Sequence, residues 1–202
     1  MTGNNQDPRY LRTQRDLKNA LLDILKEKGD IRKISITEVA RKAQYNRATF
    51  YAHYPDKEAL MEEIMQEAID GFIEAFRDPY KENNSLEFPE LSSAVIKIFY
   101  YLEQNAELFN LLFNNPIFSG FQQRFRYAIE EVMSKELLYL GESSNKLNID
   151  LYIYTQTYLM LGMITFWVEN KFELSAEYMT DQLMEIVYHY PESIKAKKPK
   201  TS

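Results

Sequence analysis

The sequence contains no cysteine, only two histidines, and six glycines that are scattered along the chain. The absence of cysteine excludes disulfide bonds, thiolate metal sites and a cysteine nucleophile, and it favours a reducing compartment. His53 and His189 lie too far apart in sequence for a metal-binding motif. The scattered glycines form neither of the common phosphate-binding loops. We therefore expect a protein that is not an enzyme and that carries no metal or other cofactor.

A secretory signal is also lacking, because no apolar run follows a basic one in the first residues, MTGNNQDPRY. We therefore expect a cytoplasmic protein. Residues 151–168 are 18 consecutive uncharged residues, which is near the lower length of a membrane span. Their threonines, tyrosines and glutamine suit hydrocarbon poorly, and no basic flank marks a cytoplasmic end. We predict instead a helix that packs on its own domain and on a second subunit, with no membrane partner.

An excess of positive charge occurs at one end of the chain. Residues 1–60 hold 12 Lys or Arg and 8 Asp or Glu, whereas residues 61–202 hold 12 and 22. Residues 1–60 are therefore basic and residues 61–202 are acidic, which indicates that an anionic partner binds residues 1–60 alone. The alternative is that charge simply varies along the chain.

Apolar residues recur at helical spacing almost throughout, and no stretch alternates strictly enough to predict a strand. We therefore predict an all-α fold of about nine helices, divided into a three-helix first domain in residues 1–55, a helical second domain in residues 56–194 and a disordered basic tail in residues 195–202. The predicted helices cover about residues 9–28, 36–43, 47–54, 57–76, 89–104, 106–114, 117–140, 148–171 and 175–190.

Polar residues indicate where the short helices begin and end. Ser35 followed by Glu38 is the pattern of a capping box, and Asn46 is a good N-cap for the next helix. Pro55 ends that helix because it lacks an N–H and disfavours helical geometry in the residue before it. Asp56 then caps the fourth helix. The second and third helices are thereby separated by a three-residue turn, QYN.

Two short helices joined by such a turn form a helix-turn-helix, whose second helix can lie in the major groove of DNA. Residues 47–49 would then lie nearest the base edges, where small side chains permit close approach. Arg47 could make two hydrogen bonds to guanine. Taken alone, Tyr51 could belong to the core and His53 could be an ordinary surface histidine. The polar residues that could bind phosphate oxygens are Tyr51, His53 and Lys57.

The segment ISITEVARKAQYNRATFYAHYPDKEAL, residues 34–60, resembles the signature of the TetR family of bacterial transcription regulators in order and spacing. It departs from the family in the turn, where glycine is common and this chain has Gln44. The resemblance implies that residues 1–55 are a DNA-binding domain and that residues 56–194 are a regulatory and dimerisation domain. Residues 148–190 are more weakly similar to regulators of dihydroxyacetone kinase operons.

The resemblance also implies site residues, with dimers formed by the last two long helices. The predicted DNA-binding residues are Ser35, Thr37, Asn46, Arg47, Ala48, Thr49, Tyr51, His53 and Lys57. The predicted dimer-interface residues are Tyr154, Tyr158, Leu161, Gly162, Thr165, Met179, Leu183 and Ile186. No ligand-binding residue is assigned, because aromatic and methionine side chains on helices belong to the core more often than to a pocket.

We therefore expect a homodimeric, sequence-specific regulator that acts as a repressor at a palindromic operator on double-stranded DNA. In the usual mechanism of the family, a small apolar or aromatic effector binds the second domain and releases the DNA. The alternative is that this domain binds a protein coregulator, which an exposed apolar patch without a closed pocket would favour. An enzyme that borrows the fold would need a deep polar pocket with converging carboxylates.

Overall fold

The computed structural model of the protein describes residues 7–78, 88–136 and 148–188. Within these ranges every regular element is helical, and this confirms the predicted all-α fold. Two 3₁₀ turns, Ile31–Lys33 and Pro116–Phe118, lie between longer helices. The nine α-helices of the described ranges are α1 Pro8–Lys28, α2 Ile36–Lys42, α3 Arg47–His53, α4 Lys57–Arg77, α5 Phe88–Gln104, α6 Ala106–Asn114, α7 Phe121–Glu136, α8 Ile149–Glu169 and α9 Ala176–Tyr188.

Local side-chain and backbone preferences determine the ends of the first helices. The Asp7 carboxylate accepts a hydrogen bond from the Arg9 N–H at 2.8 Å and so caps α1. α1 ends at Gly29, whose φ of +67° suits glycine. Tyr54 is extended before Pro55, so α3 stops where the proline predicts. The same kind of side-chain bond caps α2, α3 and α4, from Ser35, Asn46 and Asp56.

The helix predicted over residues 117–140 begins later than expected. Pro116–Phe118 form a 3₁₀ turn, and α7 starts only at Phe121. Gly120, between them, has a φ of +102°, which lies outside the helical region and is adopted by glycine at little cost. The prediction of one helix from residue 117 is therefore wrong. Loops are predicted before α5 and before α8, at residues 78–89 and 141–148. Phe88 and Pro89, at the end of the first, belong to α5 instead. Residues 79–87 and 137–147 and the predicted tail at 195–202 lie outside the described residues.

α4 connects the two halves of the molecule, because it packs against α1 as well as α5 and α7. Lys18 of α1 makes ion pairs with Glu63, at 2.8 Å, and with Glu67. Further along α4, Phe72 lies edge-on to Phe125 of α7, with ring centroids 4.6 Å apart. A displacement of α4 would therefore change its contacts with α1 as well as those with α5 and α7. The predicted domain boundary at residue 56 falls at the start of this shared helix and stays a prediction.

The C-terminal half is organised around the only tryptophan. Trp167 of α8 is fully buried, and its ring lies edge-on to Phe99 of α5 with centroids 5.5 Å apart. Its indole N–H donates to the carbonyl of Leu174 at 2.9 Å, which satisfies the one polar group of this large side chain. α8 also packs on α7, and α9 packs on α5. Trp167 thus joins α5, α8 and the turn that leads into α9.

One stripe of α8 is exposed. Tyr154, Tyr158 and Phe166 are 48%, 45% and 52% exposed, and Gly162 continues the same four-residue spacing on the surface. The sequence predicts that α8 is buried on all sides. Within a single chain only one face of α8 is buried, and the opposite face is exposed. No helix in the described ranges is long and apolar enough to cross a membrane.

The predicted dimer residues divide into two groups. Leu161 and Thr165 are half-buried, and Ile186 is exposed. Met179 and Leu183 are only 2% and 4% exposed. They lie in the core of their own chain, because α9 packs against α5. This corrects the expectation for these two residues, which offer a partner no surface.

Candidate DNA-binding surface

The turn between α2 and α3 is a Schellman motif. The Tyr45 N–H donates to the carbonyl of Ala40 at 2.8 Å, and the Gln44 N–H donates to that of Arg41 at 3.0 Å. Gln44 occupies the left-handed position of the motif, with a φ of +64°. The turn therefore forms with glutamine in the position where the family resemblance leads us to expect glycine, although a side chain there costs free energy. Phe50, which is fully buried, anchors α3 against the core.

The N-terminal end of α3 lies at the surface. Arg47 and Ala48 are exposed, and Thr49 is half-buried. The side-chain oxygen of Asn46 accepts hydrogen bonds from the Thr49 N–H at 2.8 Å and from the Thr49 hydroxyl at 3.1 Å. Asn46 and Thr49 are thus engaged in holding the start of the helix. Arg47 and Ala48 present the free surface, and the small Ala48 allows DNA to approach the backbone closely.

Arg47 and Tyr51 contact each other on the exposed face of α3. Nη2 of Arg47 donates to the Tyr51 hydroxyl at 3.0 Å, and the guanidinium carbon lies 5.3 Å from the centroid of the Tyr51 ring. The two residues are four apart and therefore share one face of the helix. The structure thus brings together a predicted base contact and a predicted phosphate contact.

His53 lies at the contact between α3 and α1. Its ring stacks on Tyr10, with centroids 4.1 Å apart. Burial lowers the pKa of His53 below its ordinary value of 6.5, and the negative charge of Glu63 only partly opposes this effect. The imidazole is therefore neutral at pH 7 and adds no charge to a phosphate contact. Sequence reasoning missed Tyr10, because the two residues are far apart in the chain and no spacing pattern links them.

The Lys57 ammonium is held by protein backbone. Its Nζ donates to the carbonyls of Ile31 at 2.8 Å and Ile34 at 2.9 Å, and both residues lie in the segment before α2. An ammonium has three N–H donors, so one is left for a phosphate oxygen. In this structure Lys57 mainly holds the chain before α2 against the start of α4. A phosphate contact by Lys57 stays a prediction.

The start of α2 contains the remaining two predicted residues. Ser35 Oγ accepts a hydrogen bond from the Glu38 N–H at 3.2 Å, so the predicted cap forms. Thr37 is exposed. Lys28 bonds the Glu38 carboxylate, with Nζ 2.7 Å from Oε1, and this interaction lowers the pKa of Glu38. Lys28 thereby offsets a negative charge beside the surface that we expect to face phosphate.

The C-terminal half contains a small apolar cavity next to an open groove. The cavity measures about 10 Å³, and its eight apolar side chains include Phe76, Met133 and Met160. The groove, of about 620 Å³, lies between α4 and α7 and shares Ile73 and Val132 with the cavity. In the described part of the chain no cluster of histidine and carboxylate side chains could hold a metal ion. The charged residues of the groove are Asp70, Glu74, Arg77, Arg124, Glu131 and Lys135.

The short α3 stands after a regular turn, is anchored by one buried ring and exposes an arginine at its N-terminal end. This arrangement is that of a helix-turn-helix DNA-binding protein. Two family models agree with it. The model described as bacterial regulatory proteins, tetR family, matches residues 22–64, and the model described as transcriptional regulator C-terminal region matches residues 90–189. The chain belongs to the TetR family of bacterial transcription regulators, as the resemblance of residues 34–60 implies.

A curated relative and several solved structures are similar to this chain. The uncharacterized HTH-type transcriptional regulator YxbF of Bacillus subtilis (strain 168) is 23% identical over 173 residues, which are 85% of this chain and 43% of that protein. This chain therefore spans less than half the length of that relative.

Two similar solved structures are regulators named FadR. The fatty acid degradation regulator FadR from Bacillus halodurans has a TM-score of 0.65 at 15% identity, over 91% of this chain and 96% of that one. FadR from Bacillus subtilis, solved in complex with stearoyl-CoA, has a TM-score of 0.61 at 16% identity, over 86% and 96% of the two chains. At these identities the likeness shows a shared fold.

Proposed function

We propose that the protein is a homodimeric transcriptional repressor that binds a palindromic operator with α3 in the major groove. The observation that carries this proposal is the exposed Arg47 at the start of α3. An arginine in this place can make two hydrogen bonds to guanine O6 and N7. The positive excess of residues 1–60 supplies the sequence-independent attraction to phosphates. Because its partner is the bacterial chromosome, the protein is expected to act in the cytoplasm.

The exposed stripe of α8 supports the homodimer. Gly162 lies in the middle of a long helix, where glycine costs about 1 kcal/mol relative to alanine. A Cβ at this position would meet nothing within 4 Å in its own chain, so the protomer itself does not require glycine. A neighbouring helix that approaches closely between Tyr158 and Phe166 would require it. A second copy of α8 supplies such a helix and covers the exposed rings.

Selection of operator DNA from a random library tests the DNA-binding part of the proposal. Arg47→Ala should lose about 1–3 kcal/mol of discrimination between the selected operator and unrelated DNA. Affinity of the wild-type protein should also fall steeply as salt is raised, because phosphate binding releases counterions. Fluorescence anisotropy at several salt concentrations measures both effects.

A matched control is Lys97→Ala, which removes an exposed cation of α5 that pairs with Asp78 and should leave DNA binding unchanged. An equal loss on operator and unrelated DNA would identify Arg47 as a phosphate contact. An affinity that does not respond to salt would argue against electrostatic docking of the basic first domain.

We further propose that the effector is an amphipathic molecule with an apolar chain and an anionic group. The apolar cavity adjoins the groove, with which it shares Ile73 and Val132. Arg124 and Lys135 of the groove pair with Glu62 and Glu131, and an anionic group would compete with these carboxylates for them. FadR from Bacillus subtilis, of similar fold, binds stearoyl-CoA. The cavity of about 10 Å³ holds no more than a water, so a chain could enter only if the surrounding helices move apart. α4 forms one wall, so this movement would be transmitted to α1.

A protein coregulator is the second candidate, and a specific observation favours it. The cavity is nearly closed, whereas apolar surface is exposed along α8. If the protein is monomeric in solution, the stripe of Tyr154, Tyr158 and Phe166 becomes available to another protein.

The similarity of residues 148–190 to regulators of dihydroxyacetone kinase operons stays a prediction, because neither family model distinguishes that subgroup.

A further inference from the structure

The ring of Tyr51 is held in place although it lies at the surface. It is 44% exposed, yet it meets the ring of Phe50 edge-on, with centroids 5.9 Å apart. Phe50 is fully buried and also contacts Tyr54, with ring centroids 5.9 Å apart. Long side chains on helices point back toward the N-terminus. Tyr51 therefore leans over the turn that carries Arg47 and has little freedom to leave it.

Tyr51 is also the side chain that restrains Arg47. Its hydroxyl accepts a hydrogen bond from Nη2 at 3.0 Å, and its ring lies 5.3 Å below the guanidinium carbon. The neighbouring Asn46 oxygen is occupied by Thr49, and Ala48 has no polar group. No ion pair of Arg47 occurs within residues 7–78, 88–136 and 148–188. Without Tyr51, this long side chain would sample many rotamers in solvent.

The contact leaves the groups that recognise DNA available. A guanidinium has five N–H donors, so four remain after the bond to Tyr51, enough for the O6 and N7 atoms of one guanine. The Tyr51 hydroxyl accepts from Arg47 and can donate its own proton to a phosphate oxygen at the same time. Arg47 would lose less side-chain entropy on binding, because Tyr51 already holds it on the face that enters the groove.

We propose that Tyr51 is a positioning residue for Arg47, and that it thereby helps to determine the operator sequence as well as the strength of binding. The inference rests on the proposed function, since it requires α3 to read bases. It goes beyond that function because it assigns sequence recognition to a side chain that would otherwise be expected only to bind phosphate.

The test compares the base preferences of full-length variants by selection from a random DNA library followed by sequencing. Tyr51→Phe keeps the ring and its contact with Phe50 but removes the hydroxyl that holds Arg47. We expect it to weaken the base preference about threefold to tenfold at the same base pairs that Arg47→Ala affects. This factor corresponds to the net contribution of one hydrogen bond. In the Arg47→Ala background, Tyr51→Phe should weaken base preference no further.

Tyr100→Phe is the matched control, because it also removes an exposed tyrosine hydroxyl bonded to a side chain, Glu177, but lies in the C-terminal half. It should leave all base preferences unchanged. Thermal denaturation should show Tyr51→Phe to be as stable as the wild type, since the ring packing is retained.

Three results would overturn the inference. Equal loss of affinity on all sequences would make Tyr51 a phosphate contact only, and the salt dependence would not change because the hydroxyl carries no charge. Unchanged preferences in Tyr51→Phe would show that Arg47 needs no positioning. A wild-type protein that selects no sequence at all would overturn the proposed function together with this inference, whereas the first two results leave that function intact.

Discussion

At the level of single residues, Gln44 adopts a conformation that glycine adopts more easily. It provides the left-handed position of the Schellman motif between α2 and α3, and both hydrogen bonds of that motif form. A Cβ in this conformation crowds the carbonyl oxygen that follows and costs about 1–2 kcal/mol. The helix-turn-helix is therefore less stable than the same turn built with glycine.

Gln44→Gly should raise the free energy of unfolding by about 0.5–1 kcal/mol, because relief of the Cβ penalty exceeds the backbone entropy that glycine loses. Urea denaturation measures the change. Gln44→Ala is the control, since alanine keeps the Cβ and should bring no comparable gain. A glycine variant less stable than the wild type would contradict the left-handed geometry of this turn.

His53 should titrate below its ordinary range, because stacking on Tyr10 shields it from water. The unfolded chain then binds a proton near pH 6.5 that the folded chain does not yet bind. Stability should therefore decrease as the pH falls through 6.5 toward the lower pKa of the folded state, and should be unaffected by this group above pH 7.

Nuclear magnetic resonance can measure this pKa directly, because only His53 and His189 contribute imidazole signals. His189→Gln assigns the two. Tyr10→Ala should return the pKa of His53 toward 6.5 by exposing the ring to water. A pKa of His53 at or above 6.5 in the wild-type protein would show that the stack does not shield it.

At the level of helices, the close contact of α4 and α5 depends on Gly71. A Cβ there would lie 2.3 Å from the Tyr101 hydroxyl oxygen and 2.5 Å from Cζ of the same ring. The Tyr101 hydroxyl donates to the carbonyl of Ala68 at 3.2 Å, and burial raises the pKa of Tyr101 to about 12. The ring is thus held against α4 where a larger residue would not fit.

Gly71→Ala should lower the free energy of unfolding by about 1–3 kcal/mol, as overpacking does, despite the higher helix propensity of alanine. Thermal denaturation measures the loss. In a Tyr101→Ala background the same substitution should cost nothing, because the clashing ring is gone. Equal costs in the two backgrounds would show that Tyr101 is not the obstacle.

At the level of the whole molecule, the exposed stripe of α8 predicts a dimer. Gly162→Glu places a charge in the middle of this face without a clash in its own chain. We expect a monomer with unchanged helical content, because burying an unpaired carboxylate in the interface is costly. Sedimentation velocity measures the change. Leu11→Glu, at an exposed apolar residue of α1, should leave the dimer intact. If Gly162→Glu remains dimeric, the interface lies elsewhere.

The groove between α4 and α7 predicts which ligands release DNA. Stearoyl-CoA should weaken operator binding, whereas CoA alone should not, because only the acyl chain can enter the apolar cavity and separate its walls. Lys135→Glu should reduce this response without changing DNA affinity in the absence of ligand. Lys97→Glu, outside the groove, is its control. If stearoyl-CoA leaves operator binding unchanged, the proposed effector class is wrong while the DNA-binding role stands.

Features that depend on local sequence could be predicted well. Capping residues such as Ser35 and Asn46, the proline that ends α3 and the periodicity of apolar side chains act within a few positions, so the starts of α2 and α3 agree with the structure. The segment of residues 34–60 also sufficed for the family. The late start of α7 was missed because Gly120 stops a helix only when it adopts a positive φ, which periodicity does not reveal.

The helical fold, the helix-turn-helix and the residues at the exposed end of α3 could be derived from the amino-acid sequence, because they follow from short-range geometry. The tertiary structure was needed to show which face of each helix is buried. It placed Met179 and Leu183 in the core of their own chain, tied Lys57 to the backbone before α2 and stacked Tyr10 on His53. Such contacts join residues distant in the chain, and they depend on helix packing that no local spacing encodes.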